Sequence, residues 1–298
     1  KVLCLAHVKE LVEQNHAKFC LTGNPAGIFS AGLKQKNNQH PVTFASVQSI
    51  APNLSEFNST ISLLIIDECH RISTDDDSQY LAVVQHFRAL NPHLKILGLT
   101  ATPFRLSTGW IYQTHYYGFA RTAQDTFFKR CIYELPLRFM IKHGYLTQPV
   151  LFDAAIAHYD FSKLDSTSND IHKEEQSLNE LIGKYPRVTQ AIIEQIIELS
   201  HDRQGVMIFA STIQHAQEIM SYLQQQNAAF IQGATTHIER DAIIKAFKAK
   251  KLKYLVNVSV LTTGFDAPHV DVIAILRPTQ SISLFQQIVG RGLRLSDN

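Results

Sequence analysis

The sequence lacks several features that would restrict its function class. Its four cysteines include no Cys-x-x-Cys pair, which excludes the usual zinc-site and disulfide patterns, and reduced thiols suit a cytoplasmic protein. No apolar run is long enough to cross a bilayer. The formal net charge is only +2, so nucleic-acid binding would depend on local contacts and not on a global basic field.

The composition is that of a globular protein. Hydrophobic residues make up 45% of the 298 residues and charged residues 18%, which argues against disorder and allows two ordinary domains. The chain begins at Lys1 inside an apolar stretch, so we expect it to be part of a longer protein.

Short apolar runs alternate with helical patterns in both halves of the sequence. Continuous apolar runs are typical of parallel strands covered on both faces, and the βαβα order predicts a doubly wound α/β fold. We place the domain boundary so that residues 1–145 form one domain and 146–298 another, and we interpret the polar stretch 165–176 as a surface excursion. Strands are predicted at 2–6, 42–45, 61–66, 95–99, 205–210, 228–231, 254–258 and 270–276, with helices at 8–19, 78–90, 212–226, 238–250 and 281–295.

Two adjacent carboxylates, Asp67 and Glu68, follow the apolar run that ends at Ile66. Such a pair can hold Mg²⁺ and activate a water molecule. Taken alone, two solvated carboxylates at a helix start are an equally good interpretation.

A glutamine and two arginines are spaced along one stretch near the C-terminal end of the sequence. If residues 281–295 are helical, Gln287, Arg291 and Arg294 share one face, and arginines can neutralise charge on a transferring phosphoryl group. For an isolated helix, a solvated face is the plainer interpretation.

A glycine-rich phosphate-binding loop ending in lysine and Ser or Thr is missing. Residues 27–32 have the glycine spacing, but Leu33 stands at the lysine position, so we interpret this segment as a turn-rich loop.

The ordered segments resemble the motifs of superfamily 2 helicases of the DEAD/DEAH-box group. The resemblance covers essentially the whole chain and rests on residues 5–7 with Gln14, 44–48, 67–70, 99–103, 260–266 and 287–294. It implies two tandem RecA-like domains with mostly parallel sheets, the first incomplete at its N-terminus because the phosphate-binding loop would precede Lys1. It also implies ATP and Mg²⁺ as cofactors.

The resemblance assigns roles to individual residues. Asp67 would hold the metal, Glu68 would deprotonate the attacking water, and Arg294, with Arg291, would approach the γ-phosphate as an arginine finger. His70, Thr100 and Thr102 would couple nucleotide state to movement, while Gly264, Asp266 and Gln287 would contact the nucleotide. Simple packing of His70, capping by the two threonines, and a turn at Asp266 are the structural alternatives.

Nucleic-acid contacts in such proteins are mostly to the phosphate backbone. The residues expected to make them follow predicted strands: His7, Ser46, Gln48, Ser211 and Thr262. The aromatic residues Trp110, Tyr112, Tyr116 and Tyr117 could stack on bases, although packing within the first domain is the default interpretation.

The function expected is therefore that of an ATP-dependent nucleic-acid helicase or translocase core that acts on DNA in repair. The motor subunit of a restriction system is one alternative. A nucleic-acid-binding fragment without catalysis is another, since the phosphate-binding loop is missing.

Overall fold

The computed structural model describes residues 1–58, 60–72, 78–105, 109–152, 171–258, 265, 267–278 and 281–295. The chain divides into two compact units, Lys1–Glu134 and Leu135–Asn298, called unit 1 and unit 2. This division falls shortly before the boundary predicted after residue 145. Thr262, Gly264 and Asp266 lie outside the described residues. No helix in the described ranges has both the length and the apolar character needed to cross a membrane.

Unit 1 is built around parallel strands. Its elements are β1 (Val2–Ala6), α1 (Lys9–Cys20), β2 (Gly27–Ser30), β3 (Gln35–Lys36), β4 (Val42–Ser46), α2 (Val47–Ile50), β5 (Leu63–Asp67), α3 (Gln79–Leu90), β6 (Lys95–Leu99), β7 (Phe104–Arg105), β8 (Gly109–Trp110), β9 (Tyr112–Thr114) and β10 (Phe128–Arg130).

The described part of unit 1 contains a six-stranded sheet in the order β3-β2-β4-β1-β5-β6, in which only β3 is antiparallel to its neighbour. Helix α1 covers one face through Val12, and α3 covers the other through Val83 and Phe87. Both faces are thus buried, which explains why these strands are continuously apolar in sequence.

The interpretation of residues 27–32 as a turn-rich loop was wrong for its first four residues. Gly27–Ser30 is a fully buried strand that pairs in parallel with β4, and only Ala31–Leu33 form a short 3₁₀ turn. The glycine has a steric reason, because a Cβ at Gly27 would lie 2.2 Å from the carbonyl oxygen of Asn37.

Unit 2 repeats the α/β plan. Its elements are α4 (Leu137–Lys142), α5 (Ile171–Gly183), α6 (Pro186–Leu199), β11 (Gly205–Ala210), α7 (Ile213–Tyr222), β12 (Ala228–Ile231), α8 (His237–Lys248), β13 (Tyr254–Asn257), β14 (Val270–Leu276) and α9 (Ile282–Val289). Among the described residues, four parallel strands form a sheet in the order β12-β13-β11-β14.

Alternate residues of β11 enter opposite cores of unit 2. Val206 and Ile208 face one cluster, which includes Ile193 of α6, while Met207 and Phe209 face another. The predicted α/β fold with mostly parallel sheets is confirmed. The last part of the polar stretch 165–176, interpreted as a surface excursion, is helical, because α5 begins at Ile171; residues 165–170 lie outside the described residues.

Helix α9 ends earlier than the predicted helix 281–295. The amide of Gly290 still bonds Gln286, four residues back, but the amides of Arg291 and Gly292 bond residues three back, at 3.1 and 3.0 Å. The two glycines disfavour helix continuation, and the tighter turn removes the face that Gln287, Arg291 and Arg294 were expected to share.

Gly98 of β6 allows the side chains of Cys69 and Phe128 to lie close to this strand. A Cβ at this position would lie 2.6 Å from Cys69 Sγ and 2.5 Å from Phe128 Cζ. We expect Gly98→Ala to lower the free energy of unfolding by ~1–3 kcal/mol, the usual cost of overpacking. Chemical denaturation measures this, with Gly233→Ala as control because its Cβ would meet nothing within 4 Å. Equal stability of both variants would contradict this account.

Candidate nucleotide-hydrolysis site

The parallel sheet of unit 1 brings polar residues to one edge. Strand β1 lies between β4 and β5, and β5 pairs in turn with β6, with Asp67 opposite Leu99. The carboxyl ends of these strands therefore lie side by side and carry His7, Ser46, Asp67 and Thr100. Ligands in open α/β sheets bind beyond such ends.

Asp67 is held by two hydrogen bonds. Asn15 Nδ2 of α1 donates to one carboxylate oxygen at 3.2 Å, and the amide of Glu68 donates to the other at 2.9 Å. Burial raises the pKa of Asp67, while the Asn15 hydrogen bond opposes that rise. Asn15 was not identified from the sequence, because only the fold brings α1 to a residue 52 positions away.

Glu68 has a left-handed backbone, with φ of 51° and ψ of 45°. This conformation, rare for a residue with a Cβ, separates the strand from the turn Cys69–Arg71. Glu68 Oε2 is buried and has no hydrogen-bond partner among the described residues. His70 Nδ1 lies 3.3 Å away, at ion-pair distance but without the alignment of a hydrogen bond.

His70 joins the carboxylates to the segment that follows β6. Its Nδ1 lies 2.9 Å from Thr100 Oγ1 and 3.4 Å from Thr102 Oγ1, and the amide of Thr102 donates to Thr100 Oγ1 at 3.0 Å. Arg105 Nε donates to the carbonyl oxygen of His70 at 2.6 Å. The structure thus brings together all three residues predicted to couple nucleotide state to movement, and adds Arg105.

His7 and Gln48 meet at the neighbouring strand ends. Gln48 Nε2 donates to the carbonyl oxygen of His7 at 2.9 Å and lies 3.1 Å from its Nδ1. Burial, assisted by the charge of Arg71, lowers the pKa of His7. Ser46 is buried and its hydroxyl donates to Ser49 at 2.7 Å, so its side chain supports the fold locally.

In unit 2, the described residues that were predicted to be functional lie around the end of α9 and at the end of β11. Arg291 donates from Nη1 to the carbonyl oxygen of Phe265, and burial lowers the pKa of the Arg294 guanidinium. Gln287 lies in the last turns of α9 and is half-buried. Ser211 Oγ donates to the carbonyl oxygen of Leu276 at 2.6 Å and joins the ends of β11 and β14.

Two family models match parts of the chain. The family model for the res subunit of type III restriction enzymes matches residues 1–105, and that for the helicase conserved C-terminal domain matches residues 188–296. The chain has a superfamily 2 helicase-like core. The predicted resemblance is confirmed at this level.

Relatives of this helicase-like core include two yeast proteins named as candidate ATP-dependent helicases. The mitochondrial protein irc3 of Schizosaccharomyces pombe is 30% identical over 99% of the chain and 46% of its own length. IRC3 of Saccharomyces cerevisiae is 27% identical over 85% of the chain and 35% of its own length. The chain therefore spans less than half of either relative.

Solved structures share the fold of this helicase-like core at low identity. A fragment of a candidate HsdR subunit of a type I restriction enzyme from Vibrio vulnificus matches 99% of the chain and 50% of its own length, with a TM-score of 0.61 and 22% identity. Dbp5 of S. cerevisiae, bound to RNA and ADP–BeF₃, matches 99% of the chain and 69% of its own length, with a TM-score of 0.57 and 15% identity. The predicted tandem RecA-like fold is confirmed.

The Asn15 hydrogen bond predicts a pH-dependent effect of Asn15→Ala. Without this donor the pKa of Asp67 rises further, because ionised Asp67 loses a stabilising partner in a half-buried site. We expect the variant to lose ~1–3 kcal/mol of unfolding free energy at neutral pH, where Asp67 is ionised. This loss shrinks as the pH falls through the Asp67 pKa.

NMR titration of the Asp67 carboxyl group and chemical denaturation at neutral and acid pH measure both effects. Asn38→Ala is the matched control, since Asn38 donates to the backbone carbonyl of Glu56 and not to a carboxylate. An unchanged Asp67 pKa in Asn15→Ala would show that Asn15 does not tune this carboxylate.

Proposed function

We propose that the chain is the motor core of an ATP-dependent nucleic-acid helicase or translocase that acts on DNA in repair in the cytoplasm. The observation that carries this proposal is the strand-end cluster of Asp67, Glu68, His70 and Thr100, joined by contacts of 2.9–3.3 Å. The preference for DNA repair rests on residues 105–112 and 264–271, which resemble those of RadD, a bacterial helicase-like protein of DNA repair.

We propose that this cluster supplies the carboxylates for ATP hydrolysis with Mg²⁺. Among the described residues, no group of three or more His, Cys, Asp or Glu side chains converges on a metal position. A single carboxylate at Asp67 would suit Mg²⁺, which keeps several waters and uses one or two carboxylates together with the substrate phosphates. Asp67 would hold the ion through water, and the positive charge of the ion would offset negative charge on the phosphates.

Glu68 is the proposed general base. Its side chain is 21% exposed and its buried Oε2 accepts no hydrogen bond from the described residues, so the carboxylate could accept a proton from an attacking water that reaches it. His70 lies between this oxygen and Thr100, and we propose that it transmits changes at Glu68 to residues 100–102 through these contacts.

Arg294, with Arg291, is proposed to neutralise the γ-phosphate, while Gln287, Gly264 and Asp266 contact the nucleotide. Nucleic acid would be held through its phosphates by His7, Ser46, Gln48, Ser211 and Thr262. The hydroxyls of Ser46 and Ser211 donate to protein oxygens, so in this role each hydroxyl would exchange that partner for a phosphate oxygen.

The motor subunit of a restriction system is a second candidate. It is favoured by the restriction family model on residues 1–105 and by a relative, the endonuclease subunit of the type I restriction enzyme EcoAI of Escherichia coli. That relative is 24% identical over 79% of the chain and 30% of its own length. Cleavage of DNA by the full-length protein would favour this candidate over repair.

The carboxylate pair provides the first test of ATP hydrolysis. In the full-length protein, Asp67→Ala and Glu68→Gln should abolish ATP turnover, because the metal-holding group and the base are lost. Residues 1–298 alone should hydrolyse negligible ATP, since no lysine-ended glycine-rich loop is present in them. A steady-state phosphate-release assay measures both, with Glu198→Gln, at an exposed position of α6, as a carboxylate control.

Rapid hydrolysis by residues 1–298 would show that another segment binds the phosphates. Turnover that survives Glu68→Gln would refute the base assignment.

The arginine assignment provides a separate test. In the full-length protein, Arg294→Ala should leave ATP affinity nearly unchanged but cut turnover by ~10³-fold or more, because arginine fingers act on transition-state charge. Arg187→Ala of α6 is the control. If Arg291→Ala slows turnover and Arg294→Ala does not, the finger is Arg291. If neither variant is slow, this part of the mechanism is wrong.

A further inference from the structure

A rigid turn in unit 1 presents aromatic rings to solvent. Residues 115–119, called the aromatic turn, are closed by an antiparallel bridge between Thr114 and Ala120. The amide of Gly118 donates to the carbonyl oxygen of His115 at 2.8 Å, with a positive φ of 90° that glycine tolerates. The hydrogen bonds fix the backbone, so the rings at the tip have defined positions.

The buried side chain of His115 holds the aromatic turn in place. Its Nδ1 accepts the amide of Tyr117 at 3.3 Å, and its Nε2 lies 2.7 Å from Glu134. Because Nδ1 accepts, Nε2 carries the proton and donates to the carboxylate. The imidazole also stacks on Phe119, with ring centroids 4.6 Å apart and planes at 14°.

Three rings around this anchor are exposed. Tyr117 is 75% exposed, Tyr133 70% and Phe119 43%. Tyr116 joins them, since its ring lies 4.2 Å from Tyr117 and is within 24° of parallel to Tyr133. Tyr112, by contrast, is 4% exposed and packs inside the unit, as the sequence analysis expected by default.

Two arginines lie next to these rings, together with the carboxylate of Glu134 that contacts His115. Arg121 lies over Trp110 and Phe119, at 4.2 and 4.7 Å from the ring centroids, and Arg130 is exposed on β10. No carboxylate in the described ranges lies within ion-pair distance of either arginine, whereas Lys129 is paired with Asp125. The surface therefore combines flat apolar faces with two cations that have no acidic partner within the described ranges.

We propose that the aromatic turn, with Tyr133, is a stacking platform for the unpaired bases of single-stranded nucleic acid, and that Arg121 and Arg130 neutralise the adjoining phosphates. Any base can stack on the face of an exposed aromatic ring, and nearby arginines can contact the phosphates of the nucleic-acid backbone. The inference rests on the proposed function. It adds base stacking to the phosphate contacts that residues at the ends of the β-strands are proposed to make.

The test compares strands with and without bases, using the full-length protein. The probes are a single-stranded oligonucleotide and an abasic strand of the same length and charge. Tyr117→Ala should weaken binding of the oligonucleotide by about tenfold and leave binding of the abasic strand unchanged, since only stacking is lost. Tyr117→Phe keeps the ring and should bind like the wild type. Tyr185→Ala, an exposed tyrosine of unit 2, is the control.

The outcomes are distinguishable from failure of the proposed function. If the wild type binds the oligonucleotide and Tyr117→Ala binds it equally well, stacking is refuted and the surface is reassigned to contact with a protein. Equal weakening on both strands would refute base recognition as well. If the wild type binds neither strand, the proposed function itself fails, and this proposal with it.

Discussion

The parallel pairing of β5 with both β1 and β6 is the constraint on which the candidate site depends. The backbone groups of β5 pair with strands on both sides, and its apolar side chains face the core, so its register is fixed by the two neighbours. This register sets Asp67 opposite Leu99 and delivers Thr100 to His70, although the two residues are 30 positions apart. The cluster is thus a product of sheet geometry, with side-chain hydrogen bonds refining it.

The strands and most helices could be predicted from sequence because their signals are local. Runs such as Gly205–Ala210 are apolar on both faces, and helices such as α3 begin at a serine or threonine whose side chain accepts a backbone amide. The strand Gly27–Ser30 could not, because four residues between turn-forming neighbours carry no period of their own. The end of α9 was missed because apolar periodicity continues past Gly290 while the hydrogen bonds change spacing.

Part of the candidate site was accessible to sequence reasoning and part was not. Asp67, Glu68 and Thr100 stand at strand ends, where a polar residue after an apolar run is conspicuous. Asn15 and Arg105 reach the site only through tertiary contacts, at 3.2 Å from Asp67 and 2.6 Å from the His70 carbonyl oxygen, and no spacing in the sequence indicates them. The pairing of Arg291 with the Phe265 carbonyl oxygen is of the same kind.

The left-handed backbone of Glu68 has a consequence for how this protein balances stability against activity. A residue with a Cβ in that region costs on the order of 1–3 kcal/mol, which glycine would largely avoid. Its carboxylate oxygen Oε2 is also buried and accepts no hydrogen bond from the part of the chain that the structure describes. Both features of Glu68 lower the stability of the folded state. Laboratory selection for thermal tolerance alone would therefore favour replacement of the side chain that the proposed chemistry needs.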